Sequence, residues 1–88
     1  MEAKPYPMVE YAPNGGLEFR EMNGEVLGIA YRCPHCGEDD WLPVGEPHGW
    51  KWNGSRDKCT LTPSVKHTPC GYHAFLVDGV WQKQPDSP

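Results

Sequence analysis

Ten glycines and ten prolines interrupt a chain of only 88 residues. Proline fixes φ and removes an amide donor, and glycine weakens a helix interior, so this spacing leaves no stretch where a long helix could run. No segment combines an N-cap residue with a 3.6-residue apolar repeat. What remains is a series of short β-prone runs between turn residues, which predicts a small all-β fold of antiparallel hairpins. With 38% hydrophobic residues, so short a chain buries too little apolar surface to be secure by packing alone. A staple is expected to make up the difference.

The turn residues place the runs. Leu17–Met22 and Glu25–Arg32 flank Asn23–Gly24, a dipeptide that accepts the positive φ values of a type I′ hairpin turn. Direct pairing across that turn sets Glu21 opposite Val26 and Phe19 opposite Gly28, so Leu17 and Phe19 share a face with Val26 and Ala30. Trp41–Val44 and Trp50–Trp52 read as short strands. Residues 59–67 read as a longer one that Pro63 demotes to an edge or bulge. Tyr72–Val77 then returns through Asp78–Gly79 into Val80–Trp81 as a second two-residue hairpin. Residues 1–16, with prolines at 5, 7 and 13, form an extended arm pinned by Tyr6, Met8, Val9 and Tyr11. Residues 17–82 form a single domain and 83–88 a flexible tail.

Twelve acidic against eight basic residues give a net charge of −4, and the lysines and arginines form no stripe. Phosphate backbones attract clustered positive charge, so this balance argues against nucleic acid as a partner. The longest apolar run, Val26–Tyr31, is far short of the roughly 20 residues that cross a bilayer, and the opening MEAKPYP has no apolar signal core. A cytoplasmic protein without membrane contact is the expectation. In that compartment four cysteines read as metal ligands or free thiols rather than disulfides.

Cys33 and Cys36, followed by Gly37, form C-x-x-C-G directly after a predicted strand. Two thiolates three residues apart grip one ion from a tight turn, and the glycine lets backbone amides fold back toward the sulfurs. His67, Cys70 and Gly71 repeat the pattern with histidine first, and His73 follows closely. If residues 60–66 and 72–77 pair, Cys59 lies roughly 25–30 Å along the strand from the turn at 3.3 Å per residue, too far to share an ion with Cys70. The preferred set is Cys33, Cys36, His67 and Cys70, with His73 and Cys59 as alternative fourth ligands. Such a site suits a structural Zn²⁺ with no open position, in a zinc-ribbon-like arrangement. His35 and His48 read as exposed turn and loop residues.

The segments WKWNGSRDKCTLTPSV (50–65) and HAFLVDGVW (73–81), together with the CPHCG turn, resemble a small bacterial and phage family that includes the BubE-type peptidases of bacterial ubiquitin-like conjugation operons. Its shared features are a CPxCG-type turn, a G-W-x-W-N-G segment, a P-T-L-T-P-S strand and a C-H-x-F-x-x-D-G hairpin. Two positions depart from that pattern: Cys59 replaces the proline before the threonine, and Cys70 precedes the histidine with Gly71 and Tyr72 between them. The resemblance spans roughly residues 31–81 and implies a serine hydrolase acting on a ubiquitin-like protein or its C-terminal tail. It places the serine at Ser64 and the histidine at His73.

A serine hydroxyl becomes a useful nucleophile when an imidazole within about 3 Å takes its proton. Pairing of the two strands sets Ser64 nearly opposite Phe75 and His73, and Pro63 can bulge the strand to expose the hydroxyl. A third group should orient His73. Asp78 lies too far along the same strand, while Asp57 or Glu46 could fold back. Trp50, Trp52 and Asn53 are expected to line a groove for an extended peptide, though filling a thin core is the competing role for the tryptophans. A non-catalytic zinc-binding module that docks a partner protein through the same tryptophans is the alternative function.

Overall fold

Both hairpins form, and each is built into its own antiparallel sheet. The computed structural model describes residues 1–88. Strands β1 (Leu17–Met22), β2 (Glu25–Arg32) and β3 (Asp39–Pro43) pair in the order β1-β2-β3. Strands β4 (Lys51–Trp52), β5 (Leu61–His67), β6 (Tyr72–Val77) and β7 (Val80–Lys83) make the second sheet in the order β4-β5-β6-β7. The fold is all-β, as expected, with one short 3-10 turn at Val9–Tyr11. No helix is long and apolar enough to cross a membrane.

The β1–β2 turn carries φ of 52° at Asn23 and 79° at Gly24, the backbone its sequence demands. Its register departs from the direct pairing expected. Glu21 does oppose Val26, but a bulge then places Arg20 opposite Gly28 and Phe19 opposite Ile29. Leu27 is the extra residue. The slip turns Leu17 and Phe19 onto the face of Tyr31 and Ile29 rather than that of Ala30 and Val26, because side chains alternate with a period of two.

That register builds the core. Leu17, Ile29, Tyr31 and Leu42 from the first sheet meet Leu61, Val65, Tyr72, Ala74, Leu76 and Trp81 from the second in one buried cluster. Tyr31 and Tyr72 both pack on Trp81, at ring separations of 5.6 and 6.3 Å. Phe19 and Trp52 meet at 5.4 Å.

The arm links the two sheets at their edges. Glu2 bridges Val80 on β7, and Pro5 bridges Leu17 on β1. Ala3, Val9 and Ala12 are its buried hydrophobic residues and Tyr6 is half-buried, whereas Met8 and Tyr11, expected to pin it, are exposed. Residues 84–88 also differ from a loose tail: Gln84 N–H donates to His73 O at 2.9 Å, and Ser87 N–H donates to Gln84 O at 3.0 Å.

Candidate metal centre and serine–histidine site

Two turns of like construction meet at one end of the molecule. In the first, Gly37 N–H donates to Cys33 O at 3.0 Å, and in the second Gly71 N–H donates to His67 O at 2.8 Å. Both glycines sit in the left-handed region, at φ of 78° and 82°, which a Cβ would strain. The likeness of C-x-x-C-G and H-x-x-C-G in sequence is thus a likeness of backbone.

The turns bring Cys33 Sγ, Cys36 Sγ, His67 Nδ1 and Cys70 Sγ within 4.8 Å of one another. Cys33 Sγ lies 3.6 Å from Cys70 Sγ, and His67 Nδ1 lies 3.4 Å from both Cys36 Sγ and Cys70 Sγ. Tetrahedral ligands at zinc–sulfur and zinc–nitrogen bond lengths stand about 3.5–3.8 Å apart, so the donor set is close to the size of such an ion's shell and has the chemistry to hold it. Burial pushes the Cys33 thiol up to about 11, whereas the contact with His67 draws Cys70 down to about 7. His67 is 2% exposed, and its Nε2 faces the Asp40 carboxylate at 3.6 Å, the position from which a carboxylate orients a ligating imidazole.

Strand parity separates the two histidines. Along β6, Tyr72, Ala74 and Leu76 are buried while His73, Phe75 and Val77 point outward. His67 opposes the inward Tyr72, and His73 opposes the exposed Lys66. His67 therefore enters the cluster, and His73 stands on the opposite face, excluded from it. Cys59 is buried elsewhere in the core, its thiol pushed up to about 12 by that burial. His35 and His48 are both exposed.

On the outer face, His73 Nε2 lies 2.7 Å from Ser64 Oγ. A bulge sets that approach: between the pairs Leu61↔Leu76 and Val65↔Ala74, β5 carries Thr62, Pro63 and Ser64 while β6 carries only Phe75. Proline's missing amide donor interrupts the ladder at this point. On the other side of the imidazole, Nδ1 lies 2.8 Å from Asp86 Oδ1. The carboxylate beside His73 is thus neither Asp57 nor Glu46, and no spacing signal in the sequence points to it. Contact with His73 holds the Asp86 carboxyl below the usual carboxylate range.

Trp50 and Trp52 are half-buried against the core. Trp50 Nε1–H donates to Ser64 O at 3.2 Å, tying the bulge to the segment before β4. Asn53 braces its own loop, its Oδ1 accepting from Ser55 N–H and Thr60 N–H at 3.1 Å. Trp52 and Asn53 also line a shallow cleft of about 190 Å³ with Lys51, Thr60 and Thr62.

A small all-β domain emerges in which one hairpin contributes two members of a Cys₃His cluster, His67 and Cys70, and carries a serine–histidine pair on its outer face. The chain belongs to the BubE family, the bacterial ubiquitination-like system serine proteases, whose family model matches residues 6–84. No curated protein and no solved structure matches it.

Proposed function

We propose that the protein is a metal-stabilised serine peptidase that processes or deconjugates a ubiquitin-like protein in the cytoplasm, with Ser64 as nucleophile and His73 as general base. The observation that carries this reading is the 2.7 Å approach of Ser64 Oγ to His73 Nε2 in a chain of a serine protease family. Ser64 Oγ attacks the scissile carbonyl carbon as its proton passes to His73 Nε2. The C–N bond then breaks, and His73 returns that proton to the departing amine. A water molecule, deprotonated by the same imidazole, attacks the acyl-serine, and the proton regained by Oγ frees the acid product.

Cys33, Cys36, His67 and Cys70 hold a structural Zn²⁺ in this reading. With four protein ligands it supplies cross-linking rather than chemistry. His67 and Cys70 bound the turn that joins the strands of Ser64 and His73, so the cluster fixes the closed end of that hairpin. Trp50 holds the bulge in place, and the substrate's extended segment lies across the cleft of Trp52 and Asn53, which Thr62, two residues along β5 from Ser64, also lines.

Ser64→Ala is expected to reduce cleavage of a C-terminally extended ubiquitin-like partner by at least about 10³-fold while leaving metal content and melting temperature unchanged. Cleavage at the wild-type rate would reject the serine mechanism.

A further inference from the structure

His73 is held by the end of the chain more completely than by its own hairpin partner. Its backbone N–H donates to Ser87 Oγ at 2.9 Å, and its carbonyl accepts from Gln84 N–H at 2.9 Å. Its Nδ1 meets Asp86 Oδ1 at 2.8 Å. Ser87 N–H closes the segment on itself through Gln84 O at 3.0 Å. Three bonds from one four-residue segment thus converge on the backbone donor, the backbone acceptor and the side chain of a single residue. A segment that merely rested on the surface would not satisfy all three groups.

The arrangement also dictates the tautomer. An ionised carboxylate only accepts hydrogen bonds, so the proton of the neutral imidazole must sit on Nδ1, facing Asp86. Nε2 then presents a lone pair, and at 2.7 Å the partner able to donate to it is the Ser64 hydroxyl. With Asp86 absent, neutral histidine is free to carry its proton on Nε2, where it cannot accept from serine. The charged groups facing this pair are few: Lys66 approaches Asp86 from β5, and it stands across from His73 in the strand register.

We propose that residues 84–87 form a clip whose Asp86 carboxylate is the positioning residue for His73, making this segment a working part of the serine site. The proposal rests on the serine peptidase reading for what the clip achieves. Asp86 lies just beyond the family-matched span, residues 6–84, so the assignment comes from the geometry of this chain. The side chain of Asp86 is 61% exposed, so its Coulomb attraction to His73 is screened by water. Its action is therefore to fix the tautomer and ring orientation, with a smaller share from charge stabilisation.

The test uses the full-length, metal-loaded protein and its Asp86→Asn and Ser64→Ala variants, with a variant ending at Lys83 as a second way of removing the clip. A fluorophosphonate serves as the serine-directed probe, and the His73 imidazole is followed by ¹⁵N NMR across a pH titration. Asp86→Asn is expected to slow Ser64 labelling by about 10²-fold, the lower end for general-base assistance, and to shift the neutral form of His73 toward Nε2–H. The Lys83 truncation should do the same, and both variants should keep the wild-type metal content. Wild-type labelling by Asp86→Asn, or an unmoved His73 tautomer, overturns the clip. Labelling that survives in Ser64→Ala, or that is absent from the wild type, instead rejects the serine reading, and the His73 spectrum then decides on Asp86 alone.

Discussion

The β1–β2 and β5–β6 hairpins use the same parts and end differently. Each is antiparallel, and each has its register broken by a bulge. The first closes through Asn23–Gly24, a turn whose backbone is satisfied by two residues alone. The second closes through His67–Tyr72, where two of the four cluster ligands reside. Its bulge puts two extra residues against β6 instead of one, and the half-buried side chain it delivers is a serine facing a histidine. A local turn is enough to shape the first strand pair, whereas the second, which sets a serine and a histidine at hydrogen-bond distance, has a closed end that faces the other sheet's turn.

Breaking the tie should have the largest effect. Cys70→Ser is expected to abolish stable metal binding and destabilise the protein by about 3 kcal/mol or more, because small domains depend heavily on such cross-links. For a chain of this size that is a fall of about 12–24 °C in melting temperature. Metal analysis and thermal unfolding followed by circular dichroism check it. Normal stability without the ion would show that the second hairpin closes as independently as the first.

The local turn offers the matching, smaller test. Gly24 sits at φ 79° with open space around a built Cβ, so Gly24→Ala meets no clash and pays only for left-handed backbone. A loss of about 1 kcal/mol is expected, read as a fall of about 4–8 °C in melting temperature, with metal content unchanged. A loss as large as that of Cys70→Ser would end the distinction between the two closures.

The smallest effect concerns how the arm is held to the first hairpin. Val9 N–H donates to Glu18 Oε1 at 2.8 Å, and that bond, ahead of the Arg20 contact, holds the Glu18 carboxyl below its ordinary value of 4.5. A depressed carboxyl stabilises the fold above its unfolded pKa and loses that contribution as pH falls through the folded one. Glu18→Gln should therefore cost less than about 1 kcal/mol at pH 7, with the gap from wild type closing below about pH 4. Melting curves from pH 7 to pH 3 measure the gap.

Much of this was legible in the residues because it is local. Asn23–Gly24, Asp78–Gly79 and the two x-x-C-G turns each dictate their own backbone, and the strand pairs flanking them follow. The assignment of His67 rather than His73 to the cluster is also a matter of parity, once the pairing is known. The β1–β2 register departs from direct pairing because Leu27 is added beside Gly28, and a glycine within a strand marks a bulge or a close backbone approach without saying which. The arm buries Val9 as expected, with Ala3 and Ala12 beside it and Tyr6 half-buried, while Met8 and Tyr11 stay exposed, a distribution that no periodic pattern in those residues marks.

What the sequence by itself determined, then, is the all-β class, the turns and the three cysteines of the two x-x-C-G turns that could share an ion, since each depends on contacts a few residues apart or on repeated turn chemistry. Only the tertiary structure decided which face of the β5–β6 hairpin each histidine serves, how far the Pro63 bulge swings Ser64, and that Asp86 meets His73. Those outcomes depend on how the two strands and the segment after β7 are packed, which brings groups 9 and 13 residues apart to within a hydrogen bond. No local propensity encodes a distance of that kind; it is set by the packing of both sheets on one core.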